Sequence, residues 1–260
     1  MMRGIYAVVV LDLKRFWLDR ARVLVGLLQP LLYLFVLGSG IGASSQLGAG
    51  DYRRFIFAGS MGLTLLMTAT FAAISIVFDR QIGFFKAVLV SPVPRPAIAL
   101  GKILSGAAQA MVQGLVLLPF AVLAGLPLDV LKVIEMLGAM AVATVVFSAL
   151  GVAVAARFTS VTVFPIVSNA MVLPLFFMSG AMYPLAMAPR WMQYAAHLDP
   201  VAYAVDLMRG ALLGRFFFAP ALSLGVLAVF VLIVTGAAVR VFNRGEDDSA
   251  LGASKFNWRR

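Results

Sequence analysis

The chain has 260 residues, 62% hydrophobic and only 12% charged, with a formal net charge of +10 and no cysteine. Soluble domains run nearer to 45–50% apolar and about 25% charged, so a water-soluble globule is excluded and the principal solvent is lipid. Disulfides, thiolate nucleophiles and zinc–thiolate centres are excluded with it.

Six windows hold no Asp, Glu, Lys or Arg: Val23–Gly50, Phe55–Phe78, Ile103–Leu128, Met136–Ala156, Phe158–Pro189 and Phe216–Val239, together 155 residues. All 32 charges (21 basic, 11 acidic) fall in the other 105. Each window reaches the ~20 residues a helix needs to cross ~30 Å of hydrocarbon. The expected fold is an all-α integral membrane protein of six transmembrane helices in a single membrane domain. A membrane barrel would instead show ~10-residue segments of alternating polarity.

Residues 1–22 set Ile5, Val8, Val9, Phe16 and Trp17 against Asp12, Lys14, Arg15, Asp19 and Arg20. That pattern predicts an amphipathic interfacial helix on the inner leaflet. The first span is expected near Leu24–Ile41, ending in Gly38-x-x-x-Gly42, which admits close helix approach. The second runs about Phe55–Phe78, followed by an inner loop over Asp79–Lys102. The third is expected over Ile103–Ala124, broken by Gly125-Leu126-Pro127, with Asp129, Lys132 and Glu135 in the next outer loop. The fourth and fifth, about Met136–Ala156 and Thr162–Met182, flank a tight inner turn at Arg157. Pro165 and Pro174 are expected to kink the fifth.

Tyr183–Arg215 carries five charges and no apolar run long enough to cross, yet it is rich in Trp, Tyr, Leu and Met. Asp199-Pro200 reads as an N-cap followed by proline at the first helical position. A helix to about Leu213 then sets Asp206 and Arg209 three residues apart on one face. Short re-entrant helices at the outer surface are the expectation here. The sixth span is placed at about Phe216–Val239, and residues 240–260 form a polar tail expected to be frayed. No cleavable signal is expected, since the first apolar run starts only at Val23 and is long for one.

With the N-terminus cytoplasmic and six crossings, fifteen basic residues lie inside and six outside. This is the positive-inside bias, so both termini are expected in the cytoplasm. The basicity then reads as topology and contact with anionic membrane lipid, with no nucleic-acid role.

Gly101-Lys102 lacks the upstream glycine and the Ser/Thr of a phosphate-binding loop, so this chain is not expected to bind ATP that way. The single histidine, His197, cannot form a metal cluster. Thirteen methionines, Met178 and Met182 among them, read as flexible packing. The charge-free windows lack the ionisable groups that ion-coupled carriers use, and Asn169 is expected to make an interhelical hydrogen bond. Energy for uphill movement would therefore come from a partner. Within the inner loop, Phe84, Phe85, Val88 and Leu89 form an apolar stripe that Pro92 and Pro94 terminate. This describes a short cytoplasmic amphipathic helix, fit for lipid or for a groove on a soluble protein.

Asp79-Arg80-Gln81-x-Gly83, the stripe to Leu89, Ser91-Pro92-Val93-x-Arg95 and Leu100-Gly101-Lys102 together resemble the loop after the second span in permease subunits of the type-2 ABC exporters. Gln81 stands where that family usually has glutamate. A second match is Ser179-Gly180-Ala181-Met182-Tyr183-Pro184, then Pro189-x-Trp191, then Asp199-Pro200-x-x-Tyr203-x-x-Asp206-x-x-Arg209. Asp199 stands where Asn is commoner. The details look closest to the drug-exporting and nodulation-type branches.

The resemblance implies a permease that pairs with a second copy of itself, each copy binding a cytosolic ATPase subunit that holds ATP and Mg. No cofactor is expected on this chain, nor enzymatic activity of its own. It implies that the loop helix couples the two subunits through Asp79, Arg80, Gln81, Gly83, Phe84, Phe85, Val88, Leu89, Ser91, Pro92 and Arg95. Gly180, Tyr183, Pro184, Trp191, Asp199, Pro200, Tyr203, Asp206 and Arg209 would line or gate the exit. Drugs, glycolipids and polysaccharides are the cargo classes, and a bacterial plasma membrane the location. A membrane enzyme and an ion-coupled carrier or channel stand as rival readings.

Overall fold

A computed structural model describes residues 2–40, 49–82, 95–127 and 129–254, with no strand among them. Helix α1 spans Met2–Leu18 and, after a break at Asp19, α2 spans Arg20–Leu32. Pro30, which has no N–H to give, precedes a π-helical stretch over Tyr33–Leu37 and a last helical turn at Gly38–Gly40. Helix α3, Ala49–Ala72, is separated from α4, Ile74–Gln81, by a single turn residue, Ala73. Then come α5, Arg95–Leu117, with a 3₁₀ extension over Leu118–Val122, and α6, Val130–Ala155. Helix α7 is Val163–Met178, α8 Arg190–Leu198, α9 Pro200–Leu213 and α10 Pro220–Ser254.

Among the described residues, five stretches are long and apolar enough to cross a membrane: Val23–Gly40, Gly50–Gln81, Pro96–Val122, Val130–Ala155 and Pro220–Arg240. The expected fifth span, by contrast, is an apolar helix of only 16 residues, Val163–Met178, about 24 Å long. Ser179 caps it and Gly180 turns the chain away at φ +71°. Pro165 lies in its first turn, where a missing N–H leaves no bond broken; Pro174 alone is interior.

Other boundaries differ from the sequence expectation, among them the second span, which starts at Ala49 and not at Phe55, so Asp51–Arg54 is helix. Arg95 already begins α5, so Arg95–Lys102 is helix and not loop. Lys132 and Glu135 belong to α6, which starts at Val130. The residues before the last span, Phe216–Phe218, are not helical, and α10 starts at Pro220. The helix then continues to Ser254, where a frayed tail was expected.

Helices α3, α5 and α6 pack on one another, α9 packs on α3 and α6, and α10 lies against α6, α9 and α5. Phe57, Met61 and Leu65 of α3, Met140 and Phe147 of α6, Phe176 of α7 and Met208 of α9 fill the main core. Helix α9 is buried all round from Pro200 to Leu212, enclosed by its neighbours. In lipid, apolar burial between helices gains little from water exclusion, so close packing carries the association. Gly59 is one consequence: a Cβ there would fall 1.9 Å from the carbonyl oxygen of Ala181, so only glycine lets the segment after α7 lie on α3. The first and last spans are peripheral, with 22% and 17% of their apolar windows buried.

Candidate functional site

Polar residues gather at the two ends of the α3–α4 rod. Arg54 and Asp79 mark them, 25 residues or roughly 37 Å apart.

At the α4 end, Lys102 is 8% exposed on the second turn of α5. Its Nζ donates to Asp12 Oδ2 of α1 at 3.1 Å, to Asp79 Oδ2 of α4 at 3.0 Å and to Ser75 Oγ at 3.0 Å. All three ammonium protons are thereby placed. Asp12 Oδ2 also accepts from Ser105 Oγ at 3.1 Å, and Ser105 Oγ accepts from Gln109 Nε2 at 3.2 Å. Arg15 lies 3.9 Å from the other Asp12 oxygen. A cavity of about 280 Å³ opens beside these groups, lined by Asp12, Asp19, Ser75, Asp79 and Gln109 among others.

Arg80 turns the other way and donates to the carbonyls of Ala155, Ala156 and Phe158 at 3.4, 2.8 and 3.5 Å. The exit from α4 is thus tied to α1, to α5 and to the turn after α6. Gln81 is exposed. Of the expected loop helix, Gly83, Phe84, Phe85, Val88, Leu89, Ser91 and Pro92 lie outside the described residues, while Arg95 is the first residue of α5.

Asp12 was expected on the polar face of a lipid-lying helix; it is 5% exposed, because α1 packs on α5 and brings it to Lys102. The windows free of charge were thus bounded just short of a buried ionic cluster. One signal was legible: a carboxylate between Leu11 and Leu13 at the membrane edge calls for a cation. Which cation is a matter of packing.

At the far end, the sequence-predicted residues assemble around α9. Asp199 caps it, accepting from Val201 N–H at 2.8 Å, with Pro200 at the first helical position. Its second oxygen, Oδ2, is buried without a hydrogen-bond partner among the described residues. Burial pushes the carboxyl up to about 7, against the opposing pull of the Val201 N–H. Tyr203 donates to the His197 carbonyl at 3.0 Å, and its ring centroid lies 4.2 Å from that of Phe218.

Asp206 and Arg209 share a face of α9, as their spacing required, but their hydrogen bonds go elsewhere. Asp206 accepts from the N–H groups of Phe217 at 2.9 and 3.1 Å and of Phe218 at 2.9 Å. The non-helical bend before α10 is thereby satisfied. Arg209 donates to the carbonyls of Gly180 at 3.0 Å and Ala181 at 3.4 Å. Its guanidinium sits 3.8 Å over the Phe55 ring. Tyr183 donates to the Phe177 carbonyl, Pro184 leads a 3₁₀ turn over Leu185–Met187, and Trp191 is 63% exposed. Sequence reasoning missed Phe55, which shares no motif with Arg209.

In the fifth expected span, Asn169 is exposed and makes none of the anticipated interhelical hydrogen bonds among the described residues. It lies on an outward stripe with Ile166, Leu173 and Phe177.

Nodulation protein J of Rhizobium leguminosarum bv. viciae is 28% identical over 216 residues, 82% of this chain and 83% of that protein. Nodulation protein J of Sinorhizobium fredii is 27% identical over 227 residues, 86% of each. The probable doxorubicin resistance ABC transporter permease protein of Mycobacterium tuberculosis is 26% identical over 238 residues, 88% of this chain and 84% of that one. Residues 3–213, which run from α1 to the end of α9 and include both polar ends, match the ABC-2 type transporter family, and the chain belongs to it.

Proposed function

We propose that this chain is the membrane half of a bacterial exporter, crossing the plasma membrane six times with both termini in the cytoplasm. Two copies would pair, each binding one cytosolic ATPase subunit that holds ATP and Mg. An amphipathic or lipid-linked substrate would pass outward between them. Membership of the family implies an ATPase partner and a transport role. The relatives' names, nodulation in one case and doxorubicin resistance in the other, support an amphipathic cargo.

The observation that carries the mechanism is the buried junction of Asp12, Lys102 and Asp79. The apolar stripe at Phe84, Phe85, Val88 and Leu89 follows Asp79 by five residues, and Lys102 follows Arg95 by two turns. Any displacement of the loop by an ATPase would thus bear on a point where three helices are locked together. In this reading Asp79 and Arg80 transmit the displacement, and Gln81, Gly83, Ser91, Pro92 and Arg95 shape the loop. The short sixteen-residue α7 still completes a sixth crossing if the 179–213 segment, folded back into the bundle, supplies the rest of the depth. Gly180, Tyr183, Pro184, Trp191, Asp199, Pro200, Tyr203, Asp206 and Arg209 then sit at the exit.

The exposed Asn169 supports pairing of two copies, because a lone amide facing hydrocarbon finds a partner most readily on an identical helix. The same buried ionic cluster favours one rival, an ion-coupled carrier, since ionisable groups within a bundle mark proton paths. One experiment separates them. Proteoliposomes holding the chain and its cognate ATPase should export a fluorescent amphiphile only with ATP, and a protonophore should leave the rate unchanged. Transport by the chain alone, driven by a pH gradient, would establish the carrier instead.

A further inference from the structure

A cavity of about 340 Å³ lies at the far end of the bundle, between the start of α3, the 184–186 turn and the end of α9. Three arginines line it: Arg54, Arg209 and Arg215. Two acids share the lining, Asp51 and Asp206. Asp51 is engaged by Arg54 at 3.6 Å, and Asp206 is held by the backbone N–H groups of Phe217 and Phe218. Arg209 is 7% exposed, and its Nε is buried with no hydrogen-bond partner among the described residues. The Arg209 side chain nonetheless lines the cavity, and a guanidinium's charge-assisted hydrogen bonds to an oxygen anion are among the strong ones. Arg215 is exposed. The other wall is apolar: Phe55, Leu213, Phe216 and Phe217.

We propose that this cavity binds the singly charged anionic headgroup of an amphiphile, a phosphodiester or a carboxylate, with its apolar chain laid along Phe216 and Phe217. Three cations against two acids leave one net positive charge, which matches a monoanion and disfavours a multiply charged phosphate. Planar guanidinium groups grip such oxygens two at a time, which lysine cannot do. Two sources supply this chemistry, a phospholipid of the facing leaflet and an anionic group arriving from water or on cargo. The inference rests on the outward placement proposed for the 179–215 segment.

The absence of native cysteine permits a direct test. Leu213→Cys places a lone thiol in the cavity wall, and Leu198→Cys, on an 88% exposed site outside it, reports general surface effects. Each variant is reconstituted in phosphatidylcholine vesicles, with and without phosphatidylglycerol, and the rate of modification by a membrane-impermeant maleimide is measured. Phosphatidylglycerol should slow Leu213→Cys about tenfold relative to Leu198→Cys, the effect of one charge-assisted hydrogen-bonded group.

Adding Arg54→Gln or Arg215→Gln should restore the fast rate; both arginines are solvent-exposed, so these variants should keep the wild-type elution volume on size exclusion. A second arm adds dibutyl phosphate to vesicles of phosphatidylcholine alone. Protection there identifies an anion from the aqueous side, and protection by phosphatidylglycerol only identifies a bilayer lipid. Equal rates in every arm, or protection that survives both glutamine substitutions, would overturn the proposal. If both cysteines react only after the vesicles are opened, the outward placement fails, and rates in opened vesicles still decide the site.

Discussion

Replacing Lys102 with methionine tests the buried junction most directly. Methionine keeps the length and packing of the lysine stem but removes three N–H donors. Asp12 and Asp79, 5% and 8% exposed, would then face each other with only the solvent-exposed Arg15 beside Asp12. Removing one partner of a buried ion pair costs about 3–5 kcal/mol, because the remaining charge stays desolvated. For a chain of this length that corresponds to a fall of roughly 10 °C in the midpoint of thermal unfolding.

Asp12→Asn should cost less, since Asp79 and Ser75 still hold Lys102. The triple variant Asp12→Asn, Lys102→Met, Asp79→Asn removes both charges with their counter-ion and should recover much of the loss. The assay heats detergent-solubilised protein in steps and follows the surviving monodisperse fraction by size exclusion. A Lys102→Met midpoint within about 2 °C of wild type would refute the junction as a stabilising lock. So would a triple variant no more stable than the single one, since the loss would then stem from side-chain packing.

Phe85→Ala should lower co-purification of the ATPase about thirtyfold, at normal membrane expression, if the stripe fills a groove on that subunit; unchanged yield would assign the stripe to lipid. Cysteines at Asp129 or His197 should label from outside intact cells and those at Lys86 or Arg157 only after permeabilisation, and external labelling at Lys86 would invert the topology. Asp199→Asn keeps the cap and removes the buried charge. The folded state holds the Asp199 proton up to about pH 7, the unfolded chain only to about 3.8, so wild-type stability falls as pH rises between these values. The variant should therefore melt above wild type at pH 8 and converge with it near pH 4, as thermal scans would show. Asn169→Leu should weaken self-association by about 1 kcal/mol, read as a higher monomer fraction on dilution in detergent.

Much of this protein was legible in its sequence because lipid imposes one-dimensional rules. A charge inside hydrocarbon is expensive, so the windows free of Asp, Glu, Lys and Arg fall close to the helices. The Asp199-Pro200 start of α9 followed from capping chemistry, which acts over two or three residues. Motif order, with the span pattern and the missing phosphate-binding loop, pointed to the family. The remainder depends on which surfaces meet. Asp12 looked like a solvated charge because nothing within α1 can announce Lys102, ninety residues away, as its partner. Asp206 and Arg209 looked like a local pair, yet backbone groups of the Phe217–Phe218 bend and of Gly180–Ala181 compete for them and lie closer in space. Helix α9 carries charges typical of a surface, but once those charges are satisfied by neighbouring backbone it can be enclosed. Only packing decides whether a polar group faces lipid, water or another helix, and so only the tertiary structure revealed the three-helix junction and the arginine-lined cavity.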